Sequence, residues 1–167
     1  LLGLSDGNLG VSSWFNDATE QEHAAYKGLP TTDRIVTWAF GATRGDVAAC
    51  LVGKQINYDG SRGTDGSLAV TVDTQSNGVS LDWCDTLTTG KETHGSAGNS
   101  TSRDDGAATS AGMVAYLEIA DLDSGTATVT IQQSSDNGSG DAFATVLSFT
   151  AVAAAAAPAA ERITVSG

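Results

Sequence analysis

Gly112 to Thr150 reads GMVAYLEIADLDSGTATVTIQQSSDNGSGDAFATVLSFT, three segments rich in Val, Ile, Thr and aromatics, parted by Asp-Ser-Gly and by Ser-Asp-Asn-Gly-Ser-Gly-Asp. Gly and Asn tolerate positive φ, and Asp and Ser side chains bond the nearby backbone, so both spacers are turn chemistry. The stretch therefore predicts an antiparallel meander. In Thr126 to Gln132, Ala127, Val129 and Ile131 fall on one face and Thr126, Thr128, Thr130 and Gln132 on the other, which gives a half-buried strand. In Phe143 to Phe149 the odd residues oppose Ala144, Val146 and Ser148, a weaker alternation that suits burial on both sides or a sheet edge. Such a meander needs a second layer over its apolar face.

Composition points the same way. The 167 residues hold 20 Gly, only 2 Pro and 17% charged residues, the profile of an all-β chain with many short turns. The formal net charge is −12, and it is uneven: residues 1–78 carry five Lys/Arg against nine Asp/Glu, residues 79–167 three against eleven. A field of that sign repels phosphate, which argues against specific nucleic-acid binding but is compatible with an acidic wall that DNA slides past. Cys50 and Cys84 allow at most one disulfide and exclude a closed thiolate zinc site. No apolar run approaches the roughly 20 residues that span a bilayer as a helix. The chain begins with Leu1 and ends in mid-pattern at Gly167, so a trimmed or partial chain is expected.

Along the first half, Asp6-Gly7 is a turn signal ahead of alternating Leu9, Val11 and Ser13. Asp17 followed by Glu20 has the form of a capping box, and Gly28 with Pro30 marks a stop, predicting a helix of about three turns near 17–28. Ile35–Phe40 and Val47–Ile56 read as buried strands. Asn57–Gly66 reads as a wide hairpin loop before alternating Leu68, Val70 and Val72. Gln75–Gly78 (QSNG) is the expected boundary, giving domains 1–78 and 79–167, with Val79–Asp85 opening the second. Thr86–Ser110 predicts a long surface connection, Val152–Glu161 a connecting loop, and Arg162–Val165 a strand.

Residues that could carry chemistry are few. His23 and His94 are the only histidines, no serine sits in a GxSxG setting, and no phosphate-cradling, dinucleotide or CxxC motif is present. Asp121 with Asp123, Asp104 with Asp105, and Asp136-Asn137 with Asp141 have the closely spaced oxygens a calcium site uses, but a polar turn uses the same residues. Arg44-Gly45-Asp46 spells an adhesion tripeptide, and a turn accounts for it. Trp14, Trp38 and Trp83 on separate strands suit core or interface anchors, or a carbohydrate-stacking platform. The chain is thus expected to be no enzyme, with no catalytic, cofactor-binding or metal-binding residue and no cofactor.

The order GLSDGNLGVSSWFND, helix EQEHAAYKGL, then DVAACLVGKQINYD and GSLAVTVDTQSNG resembles the tail tube (major tail) proteins of long-tailed bacteriophages. LDWCDTLTTG, TSAGMVAYLEIADL and TVTIQQSSDN resemble the β-sandwich domain added at the C-terminus of some of these virion proteins. The resemblance implies two β-sandwich domains, the first with one short flanking α-helix and the second exterior. It implies self-association in hexameric rings stacked into a tube, contacts with other tail proteins, and DNA passing through the lumen without specific binding. It also implies assembly in the bacterial host cytoplasm, a place in the phage virion, and no role for a membrane. The family's N-terminal strands and long hairpin loop would precede Leu1. A carbohydrate-binding or host-adhesion module and a capsid decoration protein are the alternatives.

Overall fold

A computed structural model describes residues 6–19, 21–28, 32–106 and 110–167. The chain is all-β apart from one short helix and one 3-10 turn among these residues, and it divides into two compact units, Leu1–Gly90 and Lys91–Gly167.

The first unit contains β1 (Asn8–Trp14), α1 (Glu22–Tyr26), β2 (Arg34–Ala39), β3 (Val47–Gln55), β4 (Asp59–Arg62), β5 (Leu68–Ser76) and β6 (Asp82–Asp85), whose strands form one antiparallel sheet. The six strands lie on four lines. β3 runs on into β4, β5 runs on into β6, and these two long arms pair antiparallel. β6 and the end of β5 lie along β3, and the start of β5 lies along β4. β1 covers the outer edge of β5, and β2 that of β3. The stretch expected as a wide loop, Asn57–Gly66, is thus largely strand. The turn itself is Gly63–Ser67, closed by Gly63 N–H to the Ser67 carbonyl at 2.8 Å, with Gly66 at φ +87 where a side chain would be strained.

One residue is in excess between β3 and β4, a bulge that bends the arm. Asn57 sits in it. Its Oδ1 accepts the Asp73 N–H at 2.6 Å, and its Nδ2 donates to Asp73 Oδ2 at 2.6 Å, so a side-chain amide replaces the missing ladder bond. The opposite arm breaks between β5 and β6, and there Leu81 folds back onto Leu51 and Leu9, with Val11 and Val36, to make the unit's core. Gly7 crosses so close to Leu81 that a Cβ would lie 2.7 Å from the Leu81 Cβ. Asp6 Oδ1 fastens this crossing by accepting from Ser76 Oγ, the Gly7 N–H and Gln75 Nε2.

Two expectations change here. Val79–Asp85 does not open the second domain: β6 pairs with β3, so the division falls at Gly90 and not at Gly78. Register within a sheet outweighs the composition shift that marked Gln75–Gly78. The helix is five residues and not three turns. Asn16 ends the preceding strand in a turn, its Oδ1 taking the Ala18 N–H and its carbonyl the His23 N–H, so Gln21 and not Asp17 is the N-cap. Glu20 and Pro30 lie outside the described residues. α1 is anchored by His23 Nδ1 against the Tyr58 hydroxyl at 2.9 Å and by Gln55 Nε2 donating to the Tyr26 carbonyl.

The second unit contains β7 (Met113–Ile119), β8 (Thr126–Ala127), β9 (Thr130–Gln133), β10 (Ala144–Ser148), β11 (Val152–Ala153) and β12 (Ala159–Val165). The meander is corrected: β7 pairs with β12, the last strand, while β9 pairs with β10 and β8 with β11. The unit is therefore two ribbons whose apolar faces meet around Ala115, Leu147 and Phe149, with Met113, Ile163 and Val165 from one ribbon and Val129 and Ile131 from the other. A flat meander would leave an apolar face in water, and closing one ribbon over the other buries both. A bulge at Val146 leaves Thr145 outward and turns Leu147, and with it Phe149, inward, which explains the weak alternation there. Ala159 and Ala160, expected in a loop, already belong to β12. Residues 86–106 hold no helix or strand, in keeping with the long connection.

All three tryptophans lie in the first unit, so their fluorescence reports its unfolding alone. Leu51 is completely buried, and Leu51→Ala is expected to destabilise this unit by about 2–5 kcal/mol. Asn57→Ala, which strands the half-buried Asp73 N–H, is expected to cost about 1–3 kcal/mol. Urea titration followed by tryptophan emission measures both, and an unshifted midpoint for Asn57→Ala would remove the bulge bridge from the account.

Candidate functional site

The most unusual surface is aromatic. Trp38 of β2 and Trp83 of β6 both pair with Ala49 of β3, one strand spacing to either side, so the two indoles stand about 10 Å apart on one face of the sheet with the Ala49 methyl between them. Phe40 continues that face and lies 6.0 Å from the Trp83 ring, tilted by 35°. Trp38 is 50% exposed, Phe40 63% and Trp83 68%, and Val47 and Leu87 are also exposed. These values exclude the core role open to the tryptophans. Trp14 is exposed too, but its pairing with Ala69 puts it on the opposite face. Large rings held together in water mark a contact surface.

The β2–β3 turn beside them holds Arg44-Gly45-Asp46. Arg44 Nε donates to the Leu87 carbonyl at 2.9 Å, the Gly45 N–H to the Thr86 carbonyl at 2.8 Å, and Asp46 Oδ2 accepts the Thr43 N–H at 2.8 Å. The tripeptide is thus tied down as a structural turn.

The acidic clusters resolve the same way. In the β9–β10 turn the Asp136 carboxylate accepts the N–H groups of Ser139, Gly140 and Asp141 and the Ser134 hydroxyl, while Asp141 Oδ2 accepts the Ser135 N–H. Cation ligands must offer lone pairs inward, and here N–H donors already point at them. The Asp141 N–H first, then the Gly140, Ser134 and Ser139 donors, hold the Asp136 carboxyl below its ordinary value. Asp104 takes the Gly106 N–H, Asp121 takes that of Leu122, and Asp105 faces Arg103 at 3.5 Å. No group of three metal-ligand side chains exists among the described residues. His23 is packed between Phe15 and Tyr58, and the exposed His94 faces Glu92 at 3.3 Å.

Cys50 lies opposite Asp82, and Cys84 opposite Ala48, so the thiols are diagonal neighbours on the other face of the sheet, and neither forms a disulfide. Burial foremost, then Cys50 beside it, then Asp82 and Asp85, push the Cys84 thiol up to about 12.

The second unit carries an open cleft of about 280 Å³ between the ends of β7 and β12 and the segment after β10. Leu117, Ile119, Val152, Ala159 and Ala160 give it an apolar lining. At its rim the Glu161 carboxylate accepts the Thr150 N–H at 2.7 Å and the Thr150 hydroxyl at 2.8 Å. No helix among the described residues is long and apolar enough to cross a membrane.

No family model, no curated protein and no solved structure matches this chain.

The Asp136 carboxyl is expected to titrate below the ordinary carboxylate range. Its contribution to stability is then complete above the unfolded value near 3.9 and lost as pH falls through the lower folded value. A carboxyl-carbon NMR titration with its midpoint at the ordinary value would refute this. Raising the Cys84 value gives the opposite sign: tryptophan-detected stability is expected to fall as pH climbs from about 9 toward 12, and the Cys84→Ala variant should lose that slope.

Proposed function

We propose that this chain is a non-enzymatic structural virion protein of a bacteriophage, whose copies self-associate into hexameric rings stacked as a tail tube. On this reading the two units are β-sandwich domains, the first flanked by its helix and the second exterior, and DNA passes the lumen without specific binding. The protein assembles in the host cytoplasm alongside other tail proteins and resides in the virion. It needs no cofactor.

The observation that carries the reading is surface left uncovered. The chain exposes 11318 Å², whereas two compact, wholly separate domains of half its mass would expose about 9300 Å². Residues 86–106, which hold no helix or strand, account for part of that excess, and the exposed rings of Trp38, Phe40 and Trp83 for another part. Few buried side chains stabilise each unit, which also favours a fold completed by neighbours. The segment order GLSDGNLGVSSWF, short helix and alternating strands, which resembles tail tube proteins, selects this assembly among others.

A saccharide-binding module is the second reading, favoured by the same exposed rings. A glycan array distinguishes it, and the inward-facing donors around Asp136 argue that calcium would not change the outcome.

Light scattering and negative-stain microscopy test the leading reading on the full chain. Rings or tubes are expected, and a species of single-chain mass at every concentration would overturn it.

A further inference from the structure

Cys50 of β3 and Cys84 of β6 are the only cysteines of the chain, and the fold sets them side by side. We propose that they form a cross-strand disulfide site: a small-molecule disulfide oxidises the pair, and the bridge staples the edge strand β6, with Trp83 on it, to β3. This needs one copy of the chain and an oxidant, and does not depend on the assembly proposed above.

The directly opposed pairs are Ala48 with Cys84 and Cys50 with Asp82, which leaves two diagonals, Cys50–Cys84 and Ala48–Asp82. The two are not equivalent. The right-handed twist of the strands swings side chains together along the diagonal whose members both lie C-terminal in their own strands, and apart along the other. Cys50 follows Ala48 and Cys84 follows Asp82, so the thiols occupy the close diagonal, and they hydrogen-bond each other there. A disulfide draws the sulfurs from such a contact to about 2 Å. β6 can follow, because it is four residues long and its ladder among the described residues is to β3 alone.

Access sets the order of events. Cys84 is half-buried and Cys50 only 2% exposed, so Cys84 meets the reagent. Its thiolate attacks one sulfur of the small disulfide; a mixed S–S bond forms, the reagent's own S–S bond breaks, and the departing small thiolate takes up the proton that Cys84 released. Cys50, whose sulfur accepts the Thr37 hydroxyl at 3.6 Å, then attacks the Cys84 sulfur and expels the second small thiol, which carries away the Cys50 proton. The two protein thiols lose two electrons, and the reagent gains them as two thiols. Burial holds the Cys84 thiol up at about 12, so the first step quickens as pH rises. The finished bridge closes a loop containing β4 and β5 and restricts the unfolded chain. A reducing compartment keeps the pair open, and an oxidising one closes it.

Oxidised glutathione added to the full folded chain at about pH 8.5 tests the proposal. The expected product is a single chain lighter by about 2 Da, with no glutathione retained. Its non-reduced peptide map joins the Cys50 and Cys84 peptides. Its urea midpoint by tryptophan emission is raised, and falls back when dithiothreitol is added. Cys50→Ala is expected to stop after the first step and to keep one glutathione on Cys84. An unaltered chain that also keeps glutathione on Cys84, or that couples two copies through it, would overturn the site. So would a folded chain that stays unreacted while the urea-unfolded chain oxidises, or a bridged chain whose midpoint is lowered.

Discussion

The bridge between Asn57 and Asp73 is the point on which the first unit turns. Residues 47–62 and 68–85 are two arms too long to stay paired as a flat ribbon, and the extra residue between β3 and β4 lets them change partners halfway along. The amide fills both halves of the gap, accepting a backbone N–H and donating to a carboxylate, and beside it Gln55 Nε2 donates to the Asn57 carbonyl while the buried Gln55 Oε1 has no hydrogen-bond partner among the described residues. Because the arms bend, the start of β3 is free to take β6 on the edge that β5 holds further along. That exchange places Trp83 level with Trp38.

Both units economise on core. The first gathers around Leu9, Ala49 and Leu51, the second around Ala115, Leu147 and Phe149. Hydrophobic burial is the dominant favourable term in folding, and here few side chains supply it while several large rings stay exposed. The hydrogen-bonded turns compensate locally: Asp6, Asp136 and Asn57 hold close approaches that packing alone would not specify.

Local patterns were readable in the sequence where they are local in physics. Alternation at Leu9–Val11, Val70–Val72 and Val129–Ile131 put those residues on one face, and that face is the inward one, although the strand expected over Thr126–Gln132 is interrupted at Thr128 and Val129; turn chemistry marked Ser134–Asp141, but the loop expected over Asn57–Gly66 shrinks to a turn at Gly63–Ser67. Pairing was not readable. β7 meets β12 because two ribbons must cover each other, and nothing in either strand alone records that. The helix shortened because Asn16 competes for the N–H groups that the Asp17 pattern promised to the helix. The aromatic face was legible only as three tryptophans on three strands. Its assembly depends on β3 pairing with β2 on one edge and with β6 on the other, a register no short motif encodes.

Asp6, Asp46, Asp65, Asp104, Asp121, Asp136 and Asp141 each receive a backbone N–H from their own turn or its immediate surroundings. With only 2 prolines, this chain changes direction by means of aspartate. Its acidity is to that extent a by-product of its corners: every bend made in this way deposits a negative charge at the surface, and neutralising these aspartates would weaken the acceptors that hold the bends. The electrostatic character and the path of the backbone are set by the same side chains.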